Sequence, residues 1–215
     1  MNEPFFSVIV PAHNAAGFIH KCLDSVRSQT WTKYELIVVC DNCTDNTAQI
    51  CRDTYHAKVI ETNYGLDGMA RNAGIDAAQG DWILFLDHDD WWLHECVIQM
   101  LADEISRKWV DDIDVIMFNF IWKDMPNYGT KAVSQVYDRY IAVWSKCWRR
   151  SFIGDTRFPD TPYWSDVDFD KQMFAKNPIY DSFDHELYYY NYLAPGSISL
   201  RAENGEIKKY GEVSG

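Results

Sequence analysis

Between Phe6 and Ile105 the sequence alternates, four times over, a short apolar run with a stretch whose apolar residues recur at helical spacing. The runs are Phe6-Ser7-Val8-Ile9-Val10, Glu35-Leu36-Ile37-Val38-Val39, Lys58-Val59-Ile60 and Trp82-Ile83-Leu84-Phe85-Leu86. Each has strand length and falls short of helix length. Ile19, Cys22, Leu23 and Val26 predict a helix after the first run; Ala48, Cys51 and Tyr55 predict one after the second, opened by Thr44 or Asp45. Asp67 is an N-cap candidate for a third helix that ends at Gly80, and Leu93, Val97, Met100, Leu101 and Ile105 mark one face of a fourth. Right-handed crossovers through such helices make successive strands parallel, so the expected class is α/β, with a mostly parallel central sheet flanked by helices.

After Val115-Ile116-Met117-Phe118 the rhythm stops. Residues 121–165 read as irregular and rich in Trp, Tyr and Pro, Asp166 to Ala175 as a helix, and Leu187-Tyr188-Tyr189-Tyr190 as a late strand. The expected organisation is an α/β half over 1–120, a second half of the same domain over 121–200 built around a cleft, and a polar tail over 201–215. Aromatics make up 15% of the chain, including nine tryptophans, which favours a cleft lined with rings.

Several functions are disfavoured at this level. A formal net charge of −12 repels nucleic-acid phosphates and anionic membranes, and Lys146-Cys147-Trp148-Arg149-Arg150 is the one candidate basic patch. No apolar run has the length of a membrane span, and Met1-Asn2-Glu3-Pro4 lacks the features of a signal peptide, so the expected location is cytoplasmic. The six cysteines then read as reduced thiols; Cys40-Asp41-Asn42-Cys43 has the spacing of a zinc or redox pair, but no second pair accompanies it. A G-x-G-x-x-G or phosphate loop is missing after the first strand, which argues against dinucleotide dehydrogenases, P-loop enzymes and nucleotidyltransferases.

The chemistry concentrates where the fourth apolar run meets Asp87-His88-Asp89-Asp90. Carboxylates are costly to bury unpaired, so this cluster needs water, a cation or a donor-rich ligand. Asp-X-Asp offers hard oxygens for Mg²⁺ or Mn²⁺, and the carboxyl ends of α/β strands are where ligands bind. A solvated acidic loop is the plainer reading of the same residues, and Asp90 is also a candidate cap for the following helix.

Further segments fall in a definite order around that cluster. They are Ser7-Val8-Ile9-Val10-Pro11-Ala12-His13-Asn14, Leu23-Asp24-Ser25-Val26-Arg27-Ser28-Gln29-Thr30, Asp41 through Thr47, Asn63-Tyr64-Gly65, and Ala70-Arg71-Asn72-Ala73-Gly74. Trp144-Ser145-Lys146, Arg157-Phe158-Pro159, Ser165-Asp166-Val167-Asp168-Phe169 and Gly196-Ser197-Ile198-Ser199 follow. Together they resemble the family 2 glycosyltransferases of the GT-A, Rossmann-like fold, over residues 6 to 200. The resemblance implies an inverting transfer of a sugar from a nucleoside-diphosphate donor, usually a UDP-sugar, to a hydroxyl acceptor such as a saccharide or glycolipid, with Mn²⁺ or Mg²⁺. The alternative is a catalytically silent sugar-nucleotide-binding or scaffold protein with the same fold.

Carried over residue by residue, the resemblance places Pro11, Asn14, Asp41, Arg71 and Asp87 at the donor. Asp41 would accept the uracil N3–H, or it is an ordinary turn residue. Arg71 would meet the pyrophosphate or base, or it is an exposed helix arginine. Asp89 is the expected direct metal ligand, with Asp87 on ribose or a metal-bound water and His185 as a third ligand, unless that histidine is satisfied locally. Asp166 matches the catalytic base; Asp168 and Asp170 beside it would raise its pKa, and a helix N-terminus would lower it. Trp144, Trp148, Tyr163 and Trp164 are candidate acceptor-binding rings, with core packing as the alternative. There are three departures from the family's pattern: Cys40-Asp41-Asn42-Cys43 stands for Asp-Asp-Gly-Ser, His88 for a small residue, and Ser165 for the Glu before the base.

Overall fold

The structure is a computed structural model and describes residues 3–107, 113–125, 129–133, 142–191, 194, 201–202 and 204–206. The 196–199 segment and most of the expected tail lie outside the described residues. In chain order the strands are β1 (Phe6–Ala12), β2 (Tyr34–Asp41), β3 (Lys58–Thr62), β4 (Trp82–Phe85), β5 (Trp91–Trp92), β6 (Val115–Met125), β7 (Gly129–Val133), β8 (Lys146–Arg149) and β9 (Tyr180–Tyr190). Among the described residues they form one sheet in the order β3-β2-β1-β4-β8-β6-β9-β5, with β7 paired to β6.

Every residue of β1 is buried, as a central strand covered on both faces requires. It lies parallel between β2 and β4, and β3 extends the parallel set at the edge. From β4 onward the directions mix: β8 runs antiparallel to both β4 and β6, and β9 runs parallel to β6. The division expected at 120/121 falls inside β6, whose pairing with β9 runs from Val115 to Trp122, so the two halves share one sheet. The stretch expected to be irregular contains β7 and β8; the charged ends of Lys-Cys-Trp-Arg hid the second of these. The late strand begins at Tyr180 rather than Leu187, because its polar first half is held by backbone pairing to β6 while its side chains remain partly exposed.

The helices follow the apolar spacing closely. Helix α1 (Ile19–Arg27) buries Ile19, Cys22, Leu23 and Val26. Helix α2 (Thr47–Tyr55) starts where the Asp45 carboxylate accepts the Thr47 N–H at 3.0 Å. Helix α3 (Asp67–Ala77) stops before Gly80, and Asp67 is its first residue rather than its cap. Helix α4 (Val97–Arg107) buries Val97, Ile98 and Leu101, whereas Leu93 lies before it and donates its N–H to the Leu187 carbonyl at 2.9 Å. A 3-10 turn (Val143–Ser145) and helices α5 (Arg150–Ile153) and α6 (Ser165–Ala175) follow.

Two glycines on α3 decide where the site forms. A Cβ at Gly74 would run into the Ile9 side chain of β1, and one at Gly68 would lie 2.7 Å from Ser165 Oγ on α6. Only hydrogen fits at either position, so α3 seats against the sheet on one side and the start of α6 on the other. Arg71, between these glycines, is thereby wedged at the carboxyl end of β4.

The candidate basic patch is largely tied into the chain: Lys146 to Trp148 are buried, Arg149 is half-buried, and Arg150 is exposed. Lys146 is buried in an ion pair with Asp170 at 2.7 Å, while Arg149 Nε and Arg150 Nε donate to the carbonyls of Ile113 (2.6 Å) and Gly80 (2.5 Å). No helix among the described residues is long and apolar enough to cross a membrane.

Candidate active site

The carboxyl ends of β1, β2 and β4 meet the first turns of α3 and α6, and the acidic residues gathered there divide into committed and uncommitted groups. Asp41 is committed: its two oxygens accept from Thr62 Oγ1 (2.8 Å), Tyr64 N (2.7 Å), Gly65 N (2.7 Å) and Leu66 N (3.2 Å). A carboxylate has about four lone-pair sites, and all are answered within the chain. Asp41 thereby holds the loop from β3 to α3 in shape, the local role that stands as the alternative to a base contact. Asp41→Ala is expected to lower the unfolding free energy by at least one charge-assisted hydrogen bond, on the order of 1.5–3 kcal/mol, in urea denaturation. A midpoint equal to wild type would show that water replaces the carboxylate without loss.

Arg71 is also committed. It is 3% exposed, its guanidinium pairs with Asp67 and with Asp87 (2.5 Å to Oδ1), and the Phe158 ring lies 5.6 Å from its Cζ. Both terminal nitrogens thus point to carboxylates, so the arginine acts as a strut behind Asp87, while its buried Nε has no hydrogen-bond partner among the described residues. Asp67, read from sequence as a cap, is the strut's other footing.

Asp90 does not cap α4. It is 1% exposed and accepts from Tyr188 Oη (2.5 Å) and Asn191 N (2.7 Å), and burial pushes its carboxyl well above the usual range. His88 extends Nδ1 to the Pro11 carbonyl at 2.9 Å, which ties the acidic loop to the end of β1. Pro11 is buried on β1; Asn14, just beyond, holds a left-handed φ of 46° and accepts the Thr44 N–H at 2.8 Å.

Two carboxylates remain. Asp89 and Asp166 are half-buried, and neither side chain has a hydrogen-bond partner among the described residues. Asp166 is the second residue of α6, which Ser165 opens directly after Trp164, whose φ of 62° is a left-handed conformation that bulky residues adopt only under constraint. Burial pushes the Asp166 carboxyl up to about 7; nearby Asp67, Asp87 and Asp170 add to the shift and Arg71 opposes it. The helix N-terminus therefore does not win against burial. Asp168 is exposed at the surface, 3.9 Å from Lys171.

His185 does not join the acidic loop. It lies on the exposed part of β9 against Phe183, with ring centroids 4.5 Å apart, and no three His, Cys, Asp or Glu side chains come together in a metal-binding cluster among the described residues. The donor set on this chain is Asp89 with Asp87. That set suits a divalent cation of the Mg²⁺ or Mn²⁺ type, which takes one or two carboxylates and completes its shell with water and phosphate oxygens. The thiols offer no alternative centre: the hydrogen bond with Cys51, then burial, push Cys40 up strongly, and burial pushes Cys43 up to about 11.

The four candidate acceptor rings separate. Trp148 is wholly buried among Phe152, Phe169 and Phe174, and Trp144 is 5% exposed, stacked on Tyr188 at 4.5 Å and edge-on to Phe120. Both are core residues, with no face open to an acceptor. Tyr163 and Trp164 stay half-exposed beside Asp166, with the Arg201 guanidinium 6.0 Å from the Tyr163 ring.

Several known proteins are similar to this chain in sequence or fold. EpsH of Bacillus subtilis (strain 168) is 31% identical over 175 residues, which cover 71% of this chain and 49% of EpsH. The poly(ribitol-phosphate) beta-N-acetylglucosaminyltransferase TarS of Staphylococcus aureus (strain Mu50 / ATCC 700699) is 41% identical over 93 residues, 40% of this chain and 16% of TarS. The chain thus spans about half, or less, of these curated relatives. In structure, S. aureus TarS 1-349 in complex with UDP superposes with a TM-score of 0.75 at 25% identity, covering 87% of this chain and 60% of that one. The mannosyltransferase PcManGT from Pyrobaculum calidifontis shares the fold at a TM-score of 0.70 and 16% identity, over 96% of this chain and 62% of its own. The sheet is therefore that of the GT-A glycosyltransferases. Residues 7–178 match Glycosyl transferase family 2, and the chain belongs to that family.

Proposed function

We propose that the chain transfers a sugar with inversion from a nucleoside-diphosphate donor, a UDP-sugar, to a hydroxyl of a saccharide or glycolipid acceptor. The observation that carries this reading is Asp166: a half-buried, unpartnered carboxylate whose proton affinity is tuned to about neutrality. A general base works best with a pKa near the operating pH. In a single in-line displacement, Asp166 takes the proton of the acceptor hydroxyl while that oxygen bonds to the anomeric carbon and the nucleoside diphosphate departs. Tyr163 and Trp164 flank that carboxylate and pack against the C–H faces of the acceptor. Asp89, with Asp87 braced by Arg71, would hold the divalent cation. Such a cation supplies positive charge for the leaving diphosphate. Pro11 and Asn14 border the donor at the end of β1. The complex of TarS with UDP supports a uridine donor.

The test is the pH dependence of kcat/KM for transfer, measured over a panel of UDP-sugars. The base acts ionised, and its carboxyl is raised to about 7, so the rate should climb as pH rises through about 7 and level off above it. A flat profile between about pH 6 and pH 8 would remove Asp166 from the proton transfer. Donor binding without turnover at any pH would instead favour a silent sugar-nucleotide-binding protein.

A further inference from the structure

Tyr188 is wholly buried, and its ring is stacked on Trp144 at 4.5 Å with 13° between the planes. Phenylalanine would pack there equally well. A buried hydroxyl must be hydrogen-bonded to avoid a desolvation cost, so its presence calls for an account beyond packing. The hydroxyl sits at a junction: it accepts the Asp87 N–H at 3.2 Å and donates to Asp90 Oδ2 at 2.5 Å. Asn191, just past the end of β9, adds two contacts on the same loop, its N–H to Asp90 Oδ1 at 2.7 Å and its Nδ2 to the Asp89 carbonyl at 3.2 Å. The Asp90 N–H closes the turn on the Asp87 carbonyl at 3.0 Å.

Resting on the proposed metal site, we infer that Tyr188, assisted by Asn191, is a positioning residue that sets the Asp87–Asp90 loop so that Asp87 and Asp89 present their carboxylates to one cation. Neither residue touches donor or acceptor in this assignment. Their hold on the loop comes from the end of β9, far along the chain, and complements His88 on Pro11 and Arg71 on Asp87. Buried polar groups can often be exchanged for apolar ones with little loss of stability, so stability alone does not explain a Tyr–Asp pair beneath a core ring. A structural defect and a positioning defect also differ in what they change: the first lowers the melting temperature, the second the affinity for the cation.

The experiment is calorimetric titration of UDP into wild type and Tyr188→Phe at a series of Mn²⁺ concentrations and in EDTA. Losing a partner that orients metal ligands typically costs about 10–100-fold in metal affinity, so the Mn²⁺ concentration for half-maximal UDP binding should rise by that factor. UDP affinity in EDTA should stay near the wild-type value. Asn191→Ala, at a half-exposed position, keeps the fold should Tyr188→Phe not fold, and should shift the Mn²⁺ requirement in the same direction by less. An unchanged Mn²⁺ requirement in the folded variants, with or without a lower melting temperature, overturns the inference. If wild type binds UDP identically with Mn²⁺ and with EDTA, the metal site proposed above fails, and the positioning role falls with it.

Discussion

Replacing Asp166 with asparagine is expected to lower transfer to the acceptor by about 10²–10⁴-fold, the range that a positioned general base contributes. Asparagine keeps the shape of the side chain but takes no proton at neutral pH. Because the Asp166 carboxylate has no hydrogen-bond partner among the described residues, no internal bond is broken by the exchange. UDP affinity with Mn²⁺ should stay near wild type, since Asp89 and Asp87 are untouched. Stability should move the other way from activity. The folded-state pKa of Asp166 lies near 7, above its unfolded value, so its contribution is full below the unfolded pKa and is lost as pH rises through about 7. Above that pH the ionised carboxylate burdens the fold, and Asp166→Asn should melt higher than wild type. Asp168→Asn is the control, because Asp168 stands at the surface near Lys171 and should transfer almost normally. Single-turnover transfer and thermal melting of both variants above pH 7 check this. A larger loss from Asp168→Asn, or near-normal transfer by Asp166→Asn, would place the base elsewhere.

The parallel half of the sheet was legible because its signals are local. Ile19, Cys22, Leu23 and Val26 lie on one face of α1 for the same reason that they recur at helical spacing, and the all-apolar run into Asp87 marks both a strand and the place where it ends. What could not be read is the partner of each polar group. The groups that answer Asp41, Arg71 and Asp90 come from β3 and the loop after it, from the acidic loop after β4, and from β9. Tyr188 is separated from Asp90 by 98 positions, and nothing in a Leu-Tyr-Tyr-Tyr run distinguishes the ring whose hydroxyl is used. Lys146 beside Trp148 and Arg149 looked like surface because its partner Asp170 arrives from another element. The tryptophans failed for a related reason: rings suit a cleft and a core equally, and only the packing of β6, β8 and β9 consigns Trp144 and Trp148 to the interior.

The division between committed and uncommitted carboxylates also ranks the acidic loop. Asp87 already spends an oxygen on Arg71 at 2.5 Å, so drawing it fully onto a cation means giving up part of a buried ion pair. Asp89 has no such bond to give up among the described residues. Asp89→Ala should therefore be the most damaging substitution for cation binding, beyond the about 100-fold that marks the upper range for residues that merely orient ligands. Excess EDTA should abolish donor turnover by wild type, and Mn²⁺ or Mg²⁺ should restore it; in Asp89→Ala neither metal should. The same contrast should appear without catalysis. A ligand that binds only the folded state raises the melting temperature by mass action, so UDP with Mn²⁺ should stabilise wild type more than UDP alone. Asp89→Ala should lose that increment while keeping the stabilisation by UDP alone. Since the Asp89 side chain is half-buried and makes no hydrogen bond among the described residues, the unliganded variant should melt close to wild type. Full turnover in excess EDTA, or an unchanged Mn²⁺ increment in Asp89→Ala, would return the acidic loop to a solvated strand end and leave the departing diphosphate to be met by other donors.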